Sequence, residues 1–269
     1  RYQIKLYEDF ACPYDPDLDL PSSRRVVTSV SRFGYIYGYP KELDYDDIIE
    51  IGPQFIRLDA FCRNEDAAMV AADNGITTVP EEFCPKPGRR LIYFSLGTVA
   101  SYDIALMKKL TSYLGALPAD KYRCIVSKGK LAKDYDLPAN CYGAEYLPQP
   151  TIFRDYAIDL VITHAGNNTV CEAFRYGKPM ICLPFFGDQH ANAARIEEKG
   201  YGRRFSPHRV QQDELITAIE ELLNDKVLAE KLNTAAARIE AANCGKDAAC
   251  AAIEALVAAH TAAKKQTVL

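Results

Sequence analysis

His164, Gly166, Asn168, Thr169 and Glu172, followed by Asp188 and Gln189, are the residues of this chain best spaced to do chemistry. An apolar strand, Asp159 to Thr163 (DLVIT), runs into a small polar turn, His164 to Asn168 (HAGNN), and a helix opens directly after it. Such a unit aims unpaired backbone N–H groups, a histidine and a hydroxyl at one point, and that point suits an anion. His164 either donates to the anion or is an ordinary satisfied histidine at a strand end. Gly166 permits close backbone approach. Asn168 and Thr169 are also N-cap residue types, so capping alone explains both, and the two roles are compatible. Glu172 lies about one helical turn after Asn168, where a glutamate by default faces solvent. Asp188 and Gln189 follow Phe185-Phe186-Gly187 and precede a helix carrying Asn192 and Ile196, so a capping role is open for them as well.

The elements that must position these groups alternate along the chain. Leu91 to Phe94 is a short apolar run ending in Ser95-Leu96-Gly97-Thr98, and a helical stretch with Met107 and Leu110 on one face follows. Tyr122 to Val126 is a second strand and ends in Ser127-Lys128-Gly129. Strands near Cys141, Asp159 and Met180 come next, the last spanning Pro179 to Leu183, with Gly177 placed to stop the helix before it. This pattern predicts an α/β, Rossmann-like, doubly wound parallel sheet with ligands at the strand C-termini. S-L-G-T is then a second wall for the anion or a plain strand-to-helix turn, and Ser127 with Lys128 flanks a ligand or is a polar strand end. Residues 213–240 read as two amphipathic helices, with Leu215, Ile219 and Leu222 at helical spacing. The Ala-rich run Ala248 to Ala263 reads as a packed surface helix.

The N-terminal part differs. Pro13, Pro16 and Pro21 punctuate an acidic stretch that suits no regular element, Val26 to Val30 fits a strand, and Phe33 to Tyr39 alternates aromatics with Gly34 and Gly38. Pro80, Pro85, Pro87 and Gly88 read as a linker. We therefore expect an N-terminal segment and linker over 1–85, a ligand-binding domain over 86–245, and a C-terminal helix and tail over 246–269.

Composition sets the limits. With 269 residues, 48% hydrophobic and 25% charged, the chain is of globular type with length for a sizeable core. The net charge of −4 comes without a basic stripe interleaved with aromatics, which speaks against a nucleic-acid partner. No run of about 18 or more apolar residues exists to span a bilayer. Nine cysteines lie scattered with no C-x-x-C pair, so a reducing, cytoplasmic setting is expected, with Cys171 and Cys182 as small core residues. The sequon Asn167-Asn168-Thr169 points the same way, because a glycan there would block the anion turn. His164, His190, His208 and His260 lack metal-ligand spacing and no D-x-D motif occurs, so no metal is expected.

The stretch Tyr146 to Asn192, YLPQPTIFRDYAIDLVITHAGNNTVCEAFRYGKPMICLPFFGDQHAN, resembles the donor-binding signature of the UDP-glycosyltransferases, enzymes with two facing Rossmann-like domains (the GT-B architecture). The likeness extends more loosely over Tyr39 to about Arg204. YPKELDY (Tyr39 to Tyr45) is similar to the end of the N-terminal domain in animal members, and the chain is most like soluble, arthropod- or mite-type ones. The resemblance implies a UDP-sugar co-substrate and no other cofactor. It places His164 with Gly166, Asn168 and Thr169 at the diphosphate, and Glu172 at the ribose hydroxyls, which a carboxylate accepts bidentately. Tyr146 stands where many members stack a tryptophan on uracil, and Leu147 adjoins it in the signature. Gln149 pairs with the base through its amide or its backbone. Asp188 and Gln189 hold the hydroxyls of the transferred sugar. Neither supplies a cation for a glucuronate carboxylate, which favours glucose. Ser95, Gly97 and Thr98 form the other wall of the diphosphate pocket, and Ser127 flanks the base. The implied acceptor is a small lipophilic or phenolic molecule, as in detoxification.

The family's reaction is an inverting displacement in which a histidine early in the N-terminal domain takes the acceptor's proton and an aspartate orients it. The first histidine here is His164, already assigned to the donor. The first ~85 residues are also short of a Rossmann-like domain of about 100–150. We therefore expect no catalytic base within this chain, most of the acceptor domain to lie outside it, and no transfer by the chain alone. A non-catalytic UDP-sugar-binding fragment or subunit is the alternative reading. A nucleotide-sugar epimerase of the same architecture is weaker, because the signature from Gln149 to Gln189 argues against it.

Overall fold

A computed structural model describes residues 35–48, 52, 55–62 and 79–267. The acidic Pro13–Pro21 stretch and the strand expected over Val26 to Val30 lie outside the described residues. Six parallel strands form the main sheet: β3 (Arg90–Ser95), β4 (Tyr122–Ser127), β5 (Cys141–Ala144), β6 (Leu160–Thr163), β7 (Met180–Cys182) and β8 (Gly202–Arg204). β1 (Tyr35–Gly38) and β2 (Phe55–Leu58) make a separate parallel pair. The helices are α1 (Gly97–Ala100), α2 (Ile104–Gly115), α3 (Gln149–Asp155), α4 (Asn167–Arg175), α5 (Asp188–Glu198), α6 (Gln212–Asn224), α7 (Lys226–Ala241) and α8 (Lys246–Thr267).

Strand order explains where a ligand can go. The main sheet reads β5-β4-β3-β6-β7-β8, so the chain starts in the middle, winds outward to β5, then returns past β3 and winds the other way. The reversal falls between β3 and β6, and helices leaving those strands part there to open a crevice at the C-terminal edge. Register fixes what meets at that edge: Ser95 pairs with Ser127 on one side and with Thr163 on the other. Turns 68 residues apart in sequence, after Ser95 and Thr163, are thereby made neighbours.

Helices cover both faces of the sheet, which is why its central strands read as apolar runs without alternation. Leu160, Val161, Ile162 and Thr163 are all buried. The Asp103 side chain caps α2 by accepting from the Leu106 N–H at 3.0 Å, and Met107 and Leu110 point into the core. Gln211 and Glu214 form a capping box at the start of α6, and Leu215, Ile219 and Leu222 are buried as their spacing requires. Cys171 and Cys182 are core residues.

Beside the prolines read as a linker, Glu81–Phe83 forms a 3-10 turn whose Phe83 packs against Tyr142 with ring centres 5.6 Å apart. The Ala-rich run forms a helix, α8. Ala249 is buried, whereas Ile253 and Val257 face solvent, because alanine on every face leaves no broad apolar stripe. Among the described residues no helix is long and apolar enough to cross a membrane.

Candidate functional site

At the crevice lies a cleft of about 610 Å³. Every residue the sequence singled out lines it except Glu172 and Lys128: Ser95, Gly97 and Thr98 after β3; Ser127 after β4; Tyr146, Leu147 and Gln149 after β5; His164, Gly166, Asn168 and Thr169 after β6; Asp188 and Gln189 after β7. Five strand ends thus contribute to one surface.

The anion end is built around His164. Its half-buried imidazole is enclosed by two glycines, since a Cβ on Gly97 would stand 2.6 Å from its Cε1 and one on Gly166 would stand 2.4 Å from its Nε2. Gly97 also has φ +73°, a left-handed conformation that a side chain would strain. Burial lowers the His164 pKa, opposed by its contact with the Ser95 backbone and by the Asp188 charge. A neutral imidazole therefore stands beside the N-terminus of α4. The preceding turn bends through Ala165 at φ 63°, unusual for a residue with a Cβ. That bend is held from both sides: the Ala165 N–H donates to Thr163 Oγ1 at 3.2 Å, and its carbonyl accepts from Asn192 Nδ2 at 3.0 Å.

The structure removes capping as an explanation for Asn168 and Thr169. The N-cap of α4 is Gly166, which leaves both residues inside the first turn with their amides beside the cleft. Thr169 Oγ1 accepts from Gln149 Nε2 at 3.1 Å. Asn167, the acceptor of the sequon, is itself engaged: its Nδ2 donates to the Gly38 carbonyl at 2.8 Å.

Glu172 departs from its expected place. It is 1% exposed, sits beneath Gln149 and accepts a hydrogen bond from Gln149 Nε2. It belongs to an inner layer that sequence spacing does not reveal, because α4 is buried on all sides from Thr169 to Phe174. Tyr93 lies in the same layer. Burial raises its hydroxyl pKa, with the Glu172 charge adding to the effect, and hydrogen bonds to Ser127 and Ser95 oppose it. Tyr93 lines the cleft yet was hidden in the apolar run of β3.

Tyr146 is 43% exposed on the cleft wall. Lys130 and Glu145 stand at the same end, also unforeseen. Lys128 turns away: its Nζ donates to the Tyr135 carbonyl at 2.6 Å and lies 4.4 Å from the Tyr135 ring centre.

At the opposite end the capping alternative again fails, because Gly187 is the N-cap of α5. Asp188 is exposed at the first helical position. Gln189 is buried and holds the preceding loop, its Oε1 accepting from the Phe185 N–H at 2.9 Å and the Phe186 N–H at 3.3 Å. Its amide NH₂ remains the group with capacity for a ligand.

Comparison with known proteins agrees with this arrangement. The family described as UDP-glucoronosyl and UDP-glucosyl transferase matches residues 71–238, more than half of the chain. A putative UDP-glucuronosyltransferase of Caenorhabditis elegans, ugt-46, is 34% identical over 148 residues, covering 51% of this chain and 27% of that protein. UDP-glucuronosyltransferase 1A6 of Oryctolagus cuniculus is 26% identical over 231 residues, 84% of this chain and 40% of the relative. The chain thus spans well under half the length of either. Among solved structures, the glycotransferase of kitacinnamycin superposes with a TM-score of 0.70 at 24% identity, over 95% of this chain and 61% of that one. The calicheamicin glycosyltransferase CalG4 gives 0.63 at 16% identity, over 96% and 64%. These two share the fold. The chain belongs to the UDP-glycosyltransferase family.

Proposed function

We propose that the cleft binds a UDP-sugar, UDP-glucose in preference to UDP-glucuronate, and that residues 86–245 are the donor-binding domain of an inverting glycosyltransferase acting on a small lipophilic or phenolic hydroxyl. The observation that carries this reading is the enclosed His164 imidazole beside the free amides of the α4 N-terminus. In this reading those donors meet the charge that gathers on the leaving diphosphate, without requiring a metal. Tyr146 stacks on the base. Gln149 and Glu172 serve the ribose, Gln149 moving aside to expose the carboxylate. Asp188 and the Gln189 amide take the sugar hydroxyls. The preference for glucose is supported by the charge at that end, where an aspartate, a glutamine and a neutral histidine stand.

Transfer needs a base for the acceptor hydroxyl, and a positioned one contributes roughly 10²–10⁴-fold. His164 is taken by the diphosphate, so the base comes from outside the described cleft. The sugar assignment is tested by titrating UDP, UDP-glucose and UDP-glucuronate calorimetrically into the parent chain and Asp188→Ala. UDP-glucose is expected to bind more tightly than UDP-glucuronate, and Asp188→Ala to weaken UDP-glucose while leaving UDP unchanged. An unchanged ratio of the two affinities in the variant means the sugar lies elsewhere.

A further inference from the structure

One polar stripe on α5 runs from the cleft to the far side of the domain. Asp188, Asn192, Arg195 and Lys199, the last just beyond the helix, fall at helical spacing along it. Asp188 faces the cleft, and Asn192 Nδ2 ties the helix to the His164 turn through the Ala165 carbonyl. Arg195 and Lys199 turn to the N-terminal segment instead.

Arg195 is the most unusual member. Its side chain is 2% exposed, and burying a guanidinium is costly unless its donors are met. They are met by residues some 150 positions earlier in the chain. Nε donates to the Leu43 carbonyl at 3.1 Å, and Nη2 to the Asp44 carbonyl and Asp47 Oδ1, each at 2.7 Å. Nη1 donates to Glu198 Oε2 at 3.1 Å, and the guanidinium lies 4.5 Å from the Tyr45 ring centre. Lys199 donates to the other Asp47 oxygen, and its bond, then that of Arg195, holds this carboxyl down at about 2. A second guanidinium, Arg238 on α7, binds the same segment by donating to Glu42 at 2.8 Å and to Asp59. No residue of α7 lines the cleft.

We propose that Arg195 is a positioning residue for the sugar end of the cleft, fixing the helix that presents Asp188 and Gln189 by anchoring it to segment 43–47. The inference rests on the donor-site reading above. Recognition of the transferred sugar then depends on where the N-terminal segment sits. Arg238 fastens the neighbouring Glu42 and Asp59 without lining the cleft and is the matched control.

Arg195→Met keeps a long apolar stem and removes every donor, together with the guanidinium over Tyr45. Affinities for UDP and UDP-glucose are measured calorimetrically on the parent, Arg195→Met and Arg238→Met, with circular dichroism as the check of fold. Arg195→Met is expected to shift the UDP-glucose to UDP affinity ratio by about fivefold or more, because Asp188 and Gln189 lose their fixed placement. Arg238→Met is expected to leave the ratio unchanged. If Arg195→Met does not fold, Asp47→Asn loosens the same anchor from the solvent side and should move the ratio in the same direction. A ligand-free measurement separates this idea from the donor reading: hydrogen exchange of residues 188–192 should quicken in Arg195→Met, or in Asp47→Asn, and not in Arg238→Met. Failure of the parent chain to bind UDP would overturn the donor reading, leaving exchange to decide the anchor. Equal exchange in the two arginine variants, or an unchanged ratio in a chain that binds UDP, overturns the proposal.

Discussion

His164 shows how much of this site depends on space as well as on donors. Its ring fits only because positions 97 and 166 lack a Cβ. Gly166 is the cleaner probe, since its backbone is not left-handed and the atoms nearest a methyl there belong to the His164 imidazole, a side chain that can turn aside. Gly166→Ala should therefore fold, displace the ring and weaken UDP about tenfold or more; unchanged affinity by calorimetry would mean the imidazole does not contact the ligand. The protonation of His164 supplies a second test. Burial holds its pKa below the ordinary 6.5, so between the two values the unfolded chain binds more protons than the folded one. The stability this site contributes is full above pH 6.5 and is lost as pH falls through the lowered folded value. Urea midpoints at about pH 7.5 and about pH 5.5 should differ less in His164→Gln than in the parent. Equal acid losses in the two proteins would show that the imidazole is not held neutral.

Strand, turn and helix together make the anion end, and this unit was legible because its signals are local. DLVIT, HAGNN and the helix after them are contiguous, and Gly177 follows the end of α4 closely. What sequence did not show was layering. The Thr169–Phe174 face is wholly buried, so Glu172 and Tyr93 form an inner shelf beneath Gln149 and the strand ends. Arg195 was invisible for a related reason, because its partners are far away in the chain and no periodicity encodes them. Glycine N-caps at 166 and 187 also displaced the polar residues that looked like caps, freeing them for the cleft. One prediction belongs to this scale. If α3 and α4 share the ribose through Gln149 and Glu172, Glu172→Gln should weaken uridine and UDP alike, by about 1–3 kcal/mol. A loss confined to UDP would place Glu172 at the phosphates instead.

For the whole molecule, topology does the assembling. The β5-β4-β3-β6-β7-β8 order brings turns from five strands to one edge, and the reversal between β3 and β6 places Ser95 and Gly97 across from His164 and Gly166. The α/β pattern in the sequence predicted such an edge without saying which turns would face each other; register decided that. The described N-terminal residues pack into the same core through Tyr39, Leu43 and Ala60. The central claim is that this edge binds a nucleoside diphosphate through its phosphates. The most direct measurement is calorimetric titration of the folded 269-residue chain with UDP and with uridine, repeated on His164→Gln. The account predicts that UDP binds more tightly than uridine, and that the variant loses most of that difference while its uridine affinity stays the same. No heat with UDP at millimolar concentration, or a variant in which both ligands weaken equally, would contradict it.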